Sequence, residues 1–117
     1  EVRVAAISSL GDQIQALGDS KAMQRLLKAM DDKCSEVRAE AVTLVGKSCD
    51  AEDVQHLLIE KLSDDDAQVR KNSALSLMKL TAHGAIHGLS KAAEEEQDEG
   101  VKKVIEVAIK ILKADDD

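Results

Sequence analysis

Proline, phenylalanine, tyrosine and tryptophan are absent from this sequence. A core without aromatic rings has to be built from aliphatic side chains, and hydrophobic residues make up 44% of the chain, which is enough to form one. Because β-branched and aromatic residues carry β-sheets, this composition favours helices packed on helices. The chain has no rings on which bases could stack and its formal net charge is −7, so we expect no nucleic-acid partner.

Cysteine is scarce, and long apolar runs are missing. Cys34 and Cys49 are the two cysteines among 117 residues, too few for a disulfide framework, and we expect both to be free thiols in a reducing compartment. The sequence shows neither a signal peptide nor an apolar run of about 18 residues, the length that a membrane span needs. These features predict a cytoplasmic protein without a membrane partner.

An internal repeat is the main feature that the sequence does contain. Val-Arg occurs at positions 2–3, 37–38 and 69–70, and Val-Lys follows at 101–102, so that the valines are 35, 32 and 32 residues apart. In each copy the residues four and eight positions after the valine are small or apolar. This spacing places one stripe along a helix.

Each valine after the first is preceded by an acidic stretch, at 31–32, 64–66 and 94–98. Aspartate caps helix N-termini and complements the positive end of the helix dipole, so these stretches predict helix starts. A second amphipathic segment precedes each of them, from Ser20 to Met30, Ala51 to Leu62 and about Ala85 to Glu95. The pattern predicts a lone helix followed by three helical hairpins, about seven helices in all.

The predicted fold class is all-α, a right-handed α-solenoid (an α–α superhelix) that forms a single elongated domain. Its divisions are a partial repeat over 1–18 and repeats over 19–49, 50–82 and 83–117. Gly11 and Gly46 follow the apolar stripe in the first two copies and are predicted to end those helices. Met78 and Lys110 replace them in the later copies, which predicts an extra turn there.

The repeated unit, Asp-x(4 to 5)-Val-Arg-x-x-Ala-x-x-x-Leu-Gly, resembles the HEAT-like, armadillo-like repeat of the phycobilisome (bilin) lyase family. It is carried by Asp32 through Gly46 and by Asp64 through Leu77, and the resemblance covers nearly the whole chain, although the fourth copy lacks the arginine. The resemblance implies a fold more than a function, because this family includes lyase subunits, adaptors and scaffolds. It also implies a structural ladder in which arginines bond turn aspartates, here Arg3, Arg38 and Arg70 with Asp32, Asp64 or Asp65.

The resemblance further implies that the second helix of each hairpin lines a concave binding surface. Counting 100° per residue from each valine, the polar sides of these helices supply the candidate partner-binding residues. They are Glu40, Thr43, Lys47, Asn72, Ser76, Lys79, Lys103, Glu106 and Lys110. The strip is mildly basic at its far end and would suit an acidic peptide or protein segment.

Candidate chemical sites are few. His83 and His87 have the spacing of paired zinc ligands on a helix, but no glutamate follows either of them and no third ligand is nearby. Di-iron hydroxylases of a similar fold use His-Glu pairs, whereas His56 is followed here by leucine. Cys34 lies near a predicted helix start without a positioned histidine. We therefore expect no catalytic residue, no metal and no cofactor.

The last predicted helix spreads apolar residues around about half of its circumference, although a terminal repeat should have a polar outer face. This pattern predicts either a fragment of a longer array or self-association through the terminal helices, and concentration-dependent association of this piece. Two functional hypotheses remain open. One is a non-catalytic protein-binding scaffold or adaptor; the other is a subunit similar to the bilin lyase proteins that holds a chromophore or its acceptor protein.

Overall fold

The computed structural model describes residues 20–115, so the predicted first helix, with Arg3 and Gly11, lies outside the described residues. The described part contains six α-helices and no strand: α1 Ser20–Ala29, α2 Ser35–Ser48, α3 Ala51–Lys61, α4 Ala67–Lys79, α5 Ile86–Glu95 and α6 Glu99–Asp115. A short 3₁₀ turn at His83–Ala85 precedes α5.

The helices form three hairpins in two layers. The first-helix layer contains α1, α3 and α5, and the second-helix layer contains α2, α4 and α6. In the second layer α2 packs along α4 and α4 along α6, while each first helix packs on the second helix of its own hairpin. This stacking of like helices confirms the predicted α-solenoid.

Acidic residues begin the later second helices, as their sequence positions predict. Asp66 caps α4, because its Oδ1 accepts hydrogen bonds from the main-chain N–H groups of Gln68 at 2.9 Å and Val69 at 3.2 Å. Asp98, the residue before α6, accepts a hydrogen bond at its Oδ1 from the main-chain N–H of Val101 in the first turn of that helix, at 3.0 Å. Each cap contributes about 1 kcal/mol by pairing a donor that has no partner within the helix.

The repeat valines lie in the core. Val37, Val69 and Val101 are 1%, 0% and 3% exposed. The first helices contribute leucines such as Leu26 and Leu58, which are fully buried. Burying each of these side chains contributes about 2 kcal/mol. These side chains therefore form a continuous aliphatic core between the two layers, stabilised by the hydrophobic effect without any aromatic side chain.

Gly46 does not end its helix, and that prediction is wrong. The helix continues to Ser48, and a Cβ at position 46 would lie only 2.4 Å from Ser76 Oγ on α4. The absence of a side chain at Gly46 therefore allows α2 and α4 to pack closely together. The predicted extra turn is present in α6, which has 17 residues, but not in α4, which has 13 against the 14 of α2.

Candidate binding surface

Arg38, near the start of α2, binds the turn between α3 and α4. Its Nε and Nη2 donate to the two carboxylate oxygens of Asp64 at 3.0 and 3.1 Å, and Nη2 also donates to Asp65 Oδ1 at 3.1 Å. Its Nη1 donates to the main-chain carbonyls of Asp32 at 2.9 Å and Lys33 at 3.2 Å. One guanidinium thus joins the turn before its own helix to the turn of the next hairpin.

Arg70 repeats this arrangement one hairpin later, with a glutamate as its carboxylate partner. Its Nε and Nη2 donate to the carboxylate oxygens of Glu96 at 2.9 and 3.0 Å, and its Nη1 donates to the main-chain carbonyl of Asp64 at 2.9 Å. The prediction named only aspartates and missed Glu96. A signal was present in the sequence, because each carboxylate lies 26 residues after its arginine.

Asp64 and Glu96 are buried carboxylates, with side chains 8% and 3% exposed. Burial by itself would raise the pKa of each group. The hydrogen bonds from Arg38 to Asp64 and from Arg70 to Glu96, together with one main-chain N–H each, outweigh burial and lower both pKa values. Both carboxylates are therefore ionised at neutral pH, and the two pairs tie successive hairpins together.

The side of the second-helix layer that faces away from the first helices is exposed to solvent, and we call it the open face. On α2 it carries Glu40, Thr43 and Lys47. Its equivalents, found by the repeat step of 32 residues, are Asn72, Leu75 and Lys79 on α4 and Val104, Val107 and Ile111 on α6. All nine side chains are partly or fully exposed. The open face is therefore polar on α2 and apolar on α6.

Ser76 does not belong to the open face, and its prediction as a partner-binding residue is wrong. It is 2% exposed, and its Oγ donates to the main-chain carbonyl of Val42 at 2.7 Å. Asn72 and Thr43 lie on the open face, but their side chains also donate hydrogen bonds of 3.1 Å to the carbonyl of Ala39. The serine lies one position beyond Leu75, which turns it by about 100° toward α2.

Lys103, Glu106 and Lys110 are exposed along the margin of the open face, beside the row formed by Val104, Val107 and Ile111, and their role in partner binding stays a prediction. Their equivalents on α2 are Ala39, Val42 and Gly46, all of which are buried beneath α4. The prediction followed the polar side of α6, whereas the open face of α6 is its apolar side.

Two grooves cross the open face, and they differ in chemistry. The first lies between the N-terminal halves of α2 and α4, has a volume of about 470 Å³ and includes the carboxylates of Glu36, Glu40 and Asp66. The second lies between α4 and α6, with a volume of about 180 Å³, and we call it the apolar groove. It is lined by Leu75, Met78, Lys103, Val104 and Val107.

Val107 and Ile111 are the exposed large hydrophobic residues of the described chain, at 51% and 43% exposure. Val107 lines the apolar groove, and Ile111 follows it one helical turn later on the same face. Each lies outside the packed core, so neither is explained by the stability of the stack.

The thiols and imidazoles have ordinary structural surroundings. Burial, followed by the nearby charges of Asp53 and Asp50, raises the pKa of Cys49 to about 11, and its Sγ lies 3.1 Å from Met23 Sδ. Cys49 is therefore a neutral thiol at physiological pH. His83 Nε2 lies 3.4 Å from Asp115 Oδ2 at the end of α6.

Among residues 20–115, no group of three or more His, Cys, Asp and Glu side chains is arranged so that it could hold a metal ion. Over the same residues, each helix is either too short or too polar to cross a bilayer.

The fold and the arginine pairs define a stack of HEAT repeats, and sequence comparison agrees. A family model described as HEAT repeats matches residues 1–59, and another, described as a HEAT repeat associated with sister chromatid cohesion, matches residues 49–77. This chain belongs to the HEAT repeat family, as its repeated unit predicted.

The chain is also similar in sequence to an individual protein of known name. The chain is 47% identical over 108 residues to the bilin biosynthesis protein MpeU of Synechococcus sp. (strain WH8020). The match covers 92% of this chain but 36% of that protein, so the chain spans about a third of the length of its relative.

Proposed function

We propose that this chain is a non-catalytic scaffold that binds a partner protein on the open face of its second helices. The observation that carries the proposal is the position of Val107 and Ile111, large apolar side chains exposed on that face and continuous with the apolar groove. Exposed apolar patches of this kind mark interaction sites more often than they serve a monomer. The ion-paired ladder supports this role by holding the hairpins in register.

A second proposal is that the chain serves bilin metabolism as a subunit that holds a chromophore or its acceptor protein. The 47% identity to a bilin biosynthesis protein favours it. The two proposals differ in whether a pigment is held, because a scaffold needs to bind only a protein. A shift in the visible absorption spectrum of an open-chain tetrapyrrole on mixing with the purified chain, alone and with an acceptor protein, separates them.

The scaffold proposal is tested by cross-linking and mass spectrometry in the cells that contain the protein. The wild-type chain should be cross-linked to a partner through residues of the open face, and Val107→Asp should remove that partner. The matched control is His56→Asp, which introduces the same side chain at an exposed position of the first-helix layer. Partners retained by Val107→Asp, or lost equally in both variants, would contradict the proposal.

A further inference from the structure

The size of the apolar groove limits what can occupy it. Sites that enclose a whole small molecule usually have volumes of about 300–1,000 Å³. An apolar cavity of about 150 Å³ holds one benzene-sized group. The groove between α4 and α6, at about 180 Å³, therefore encloses one or two aliphatic side chains and would leave most of a tetrapyrrole or nucleotide in solvent.

The shape of the groove favours a helical occupant. It lies between two neighbouring helices, with Leu75 and Met78 on α4 and Val104 and Val107 on α6. A row of side chains spaced three or four residues apart on a third helix packs into such a depression, as ridges pack into grooves elsewhere in helical proteins. Ile111 extends the apolar surface by one further helical turn.

The charges around the groove favour an acidic occupant. Lys103 lines its edge, Lys79 lies one turn after Leu75, and Lys110 lies one turn after Val107. All three are exposed, and none forms an ion pair within residues 20–115. The carboxylates on the same side of α6 are Glu99 and Glu106, so three lysines stand against two carboxylates and the margin is slightly basic on a chain whose net charge is −7.

We propose that the apolar groove receives two aliphatic side chains, one helical turn apart, from an acidic amphipathic helix of a partner protein. The apolar anchors supply affinity, and the lysines select carboxylates beside them and speed association. This inference rests on the proposed scaffold function and specifies the chemistry of the partner at that site.

The test is a selection of random 16-residue peptides displayed on phage, with the wild-type chain as target and Val107→Asp for counter-selection. Enriched peptides should carry aliphatic residues at i and i+3 or i+4 and a net negative charge. By fluorescence anisotropy, Val107→Asp should weaken their binding at least tenfold and Lys103→Glu about threefold to tenfold. His56→Asp should bind within twofold of wild type, and circular dichroism melting should show that every variant is folded.

Three results would overturn the inference. The first is a selection that yields no peptide dependent on Val107, and the second is one that yields basic or uncharged peptides. The third is sedimentation velocity showing a dimer that Val107→Asp abolishes, which would make a second copy of this chain the occupant.

Comparison with the cross-linking experiment separates this inference from the scaffold proposal. If a cellular partner depends on Val107 but contacts the groove through a segment that is not acidic and helical, this inference fails and the scaffold proposal stands. If neither a peptide nor a cellular partner depends on Val107, both fail.

Discussion

The hydroxyl of Ser76 on α4 donates a hydrogen bond of 2.7 Å to the main-chain carbonyl of Val42 on α2. The contact requires two helix backbones to lie unusually close, and Gly46 permits this because a side chain there would collide with the serine. A buried side-chain donor that is paired in this way also fixes the rotation of α4 against α2, since a small rotation would leave the hydroxyl without a partner.

Replacement of Gly46 by alanine should lower the free energy of unfolding by about 2 kcal/mol. The new Cβ would lie 2.4 Å from Ser76 Oγ and 2.6 Å from its Cβ, so the helices would have to move apart. Urea denaturation followed by circular dichroism measures the change. Adding Ser76→Gly should recover part of the loss, and unchanged stability of Gly46→Ala would show that α2 and α4 are not held this closely.

Asp64 and Asp65 both contact Arg38, but only the first should matter for stability. The Asp64 side chain is 8% exposed and that of Asp65 is 94% exposed. Asp64→Asn should lower the free energy of unfolding by about 2 kcal/mol, because it removes the buried charge that faces the Arg38 guanidinium and leaves only the solvent-exposed carboxylate of Asp65. Asp65→Asn is the matched control and should change it by less than about 0.5 kcal/mol. Equal effects of the two variants would contradict the assigned roles.

Stability should fall on the acid side of about pH 4. Asp64 and Glu96 have lower pKa values in the folded chain than in the unfolded chain, where about 3.9 and 4.3 are expected. Their contribution is complete above those unfolded values and is lost as the pH falls through the lower folded values. Urea midpoints at pH 7, 4 and 3 should therefore drop more steeply for the wild type than for the Asp64→Asn, Glu96→Gln double variant. Parallel curves would mean that these carboxylates are not stabilised by folding.

Thr81, two residues after the end of α4, has a left-handed backbone conformation that suits glycine. Its φ is 51°, its N–H donates to the Met78 carbonyl at 3.0 Å, and the N–H of Ala82 donates to the Leu77 carbonyl at 3.1 Å. This is the Schellman pattern, in which a left-handed residue follows the helix. Thr81→Gly should raise the free energy of unfolding by about 0.5–1 kcal/mol, because a β-branched side chain is strained there. Thr81→Ala should gain less, and a loss with glycine would argue against the left-handed conformation.

The helices of residues 20–115 were predictable from sequence because the buried positions recur with the same period as the Val-Arg repeat. The returning valines mark the second helices, and the acidic stretches mark their starts. The predicted first helices begin and end within one residue of α1, α3 and α5. These features depend on local periodicity and capping, which a sequence displays directly.

The surface was less predictable because neighbouring helices decide which sector of a helix is covered. Ser76 is polar but faces α2, and Val107 is apolar but faces solvent. A polarity rule misassigns both residues. Glu96 escaped notice for a related reason, since one carboxylate within the acidic stretch at 94–98 is chosen by its distance from Arg70 and not by its residue type.

The entirely aliphatic core has a practical consequence. A chain without indole, phenol or phenyl groups is nearly transparent in the near ultraviolet and has no fluorescence of its own from these rings. Any absorption, emission or induced ellipticity that develops there or in the visible range on mixing must come from the added molecule. The protein thus provides a dark background against which a bound pigment or an aromatic-containing partner can be observed without labelling.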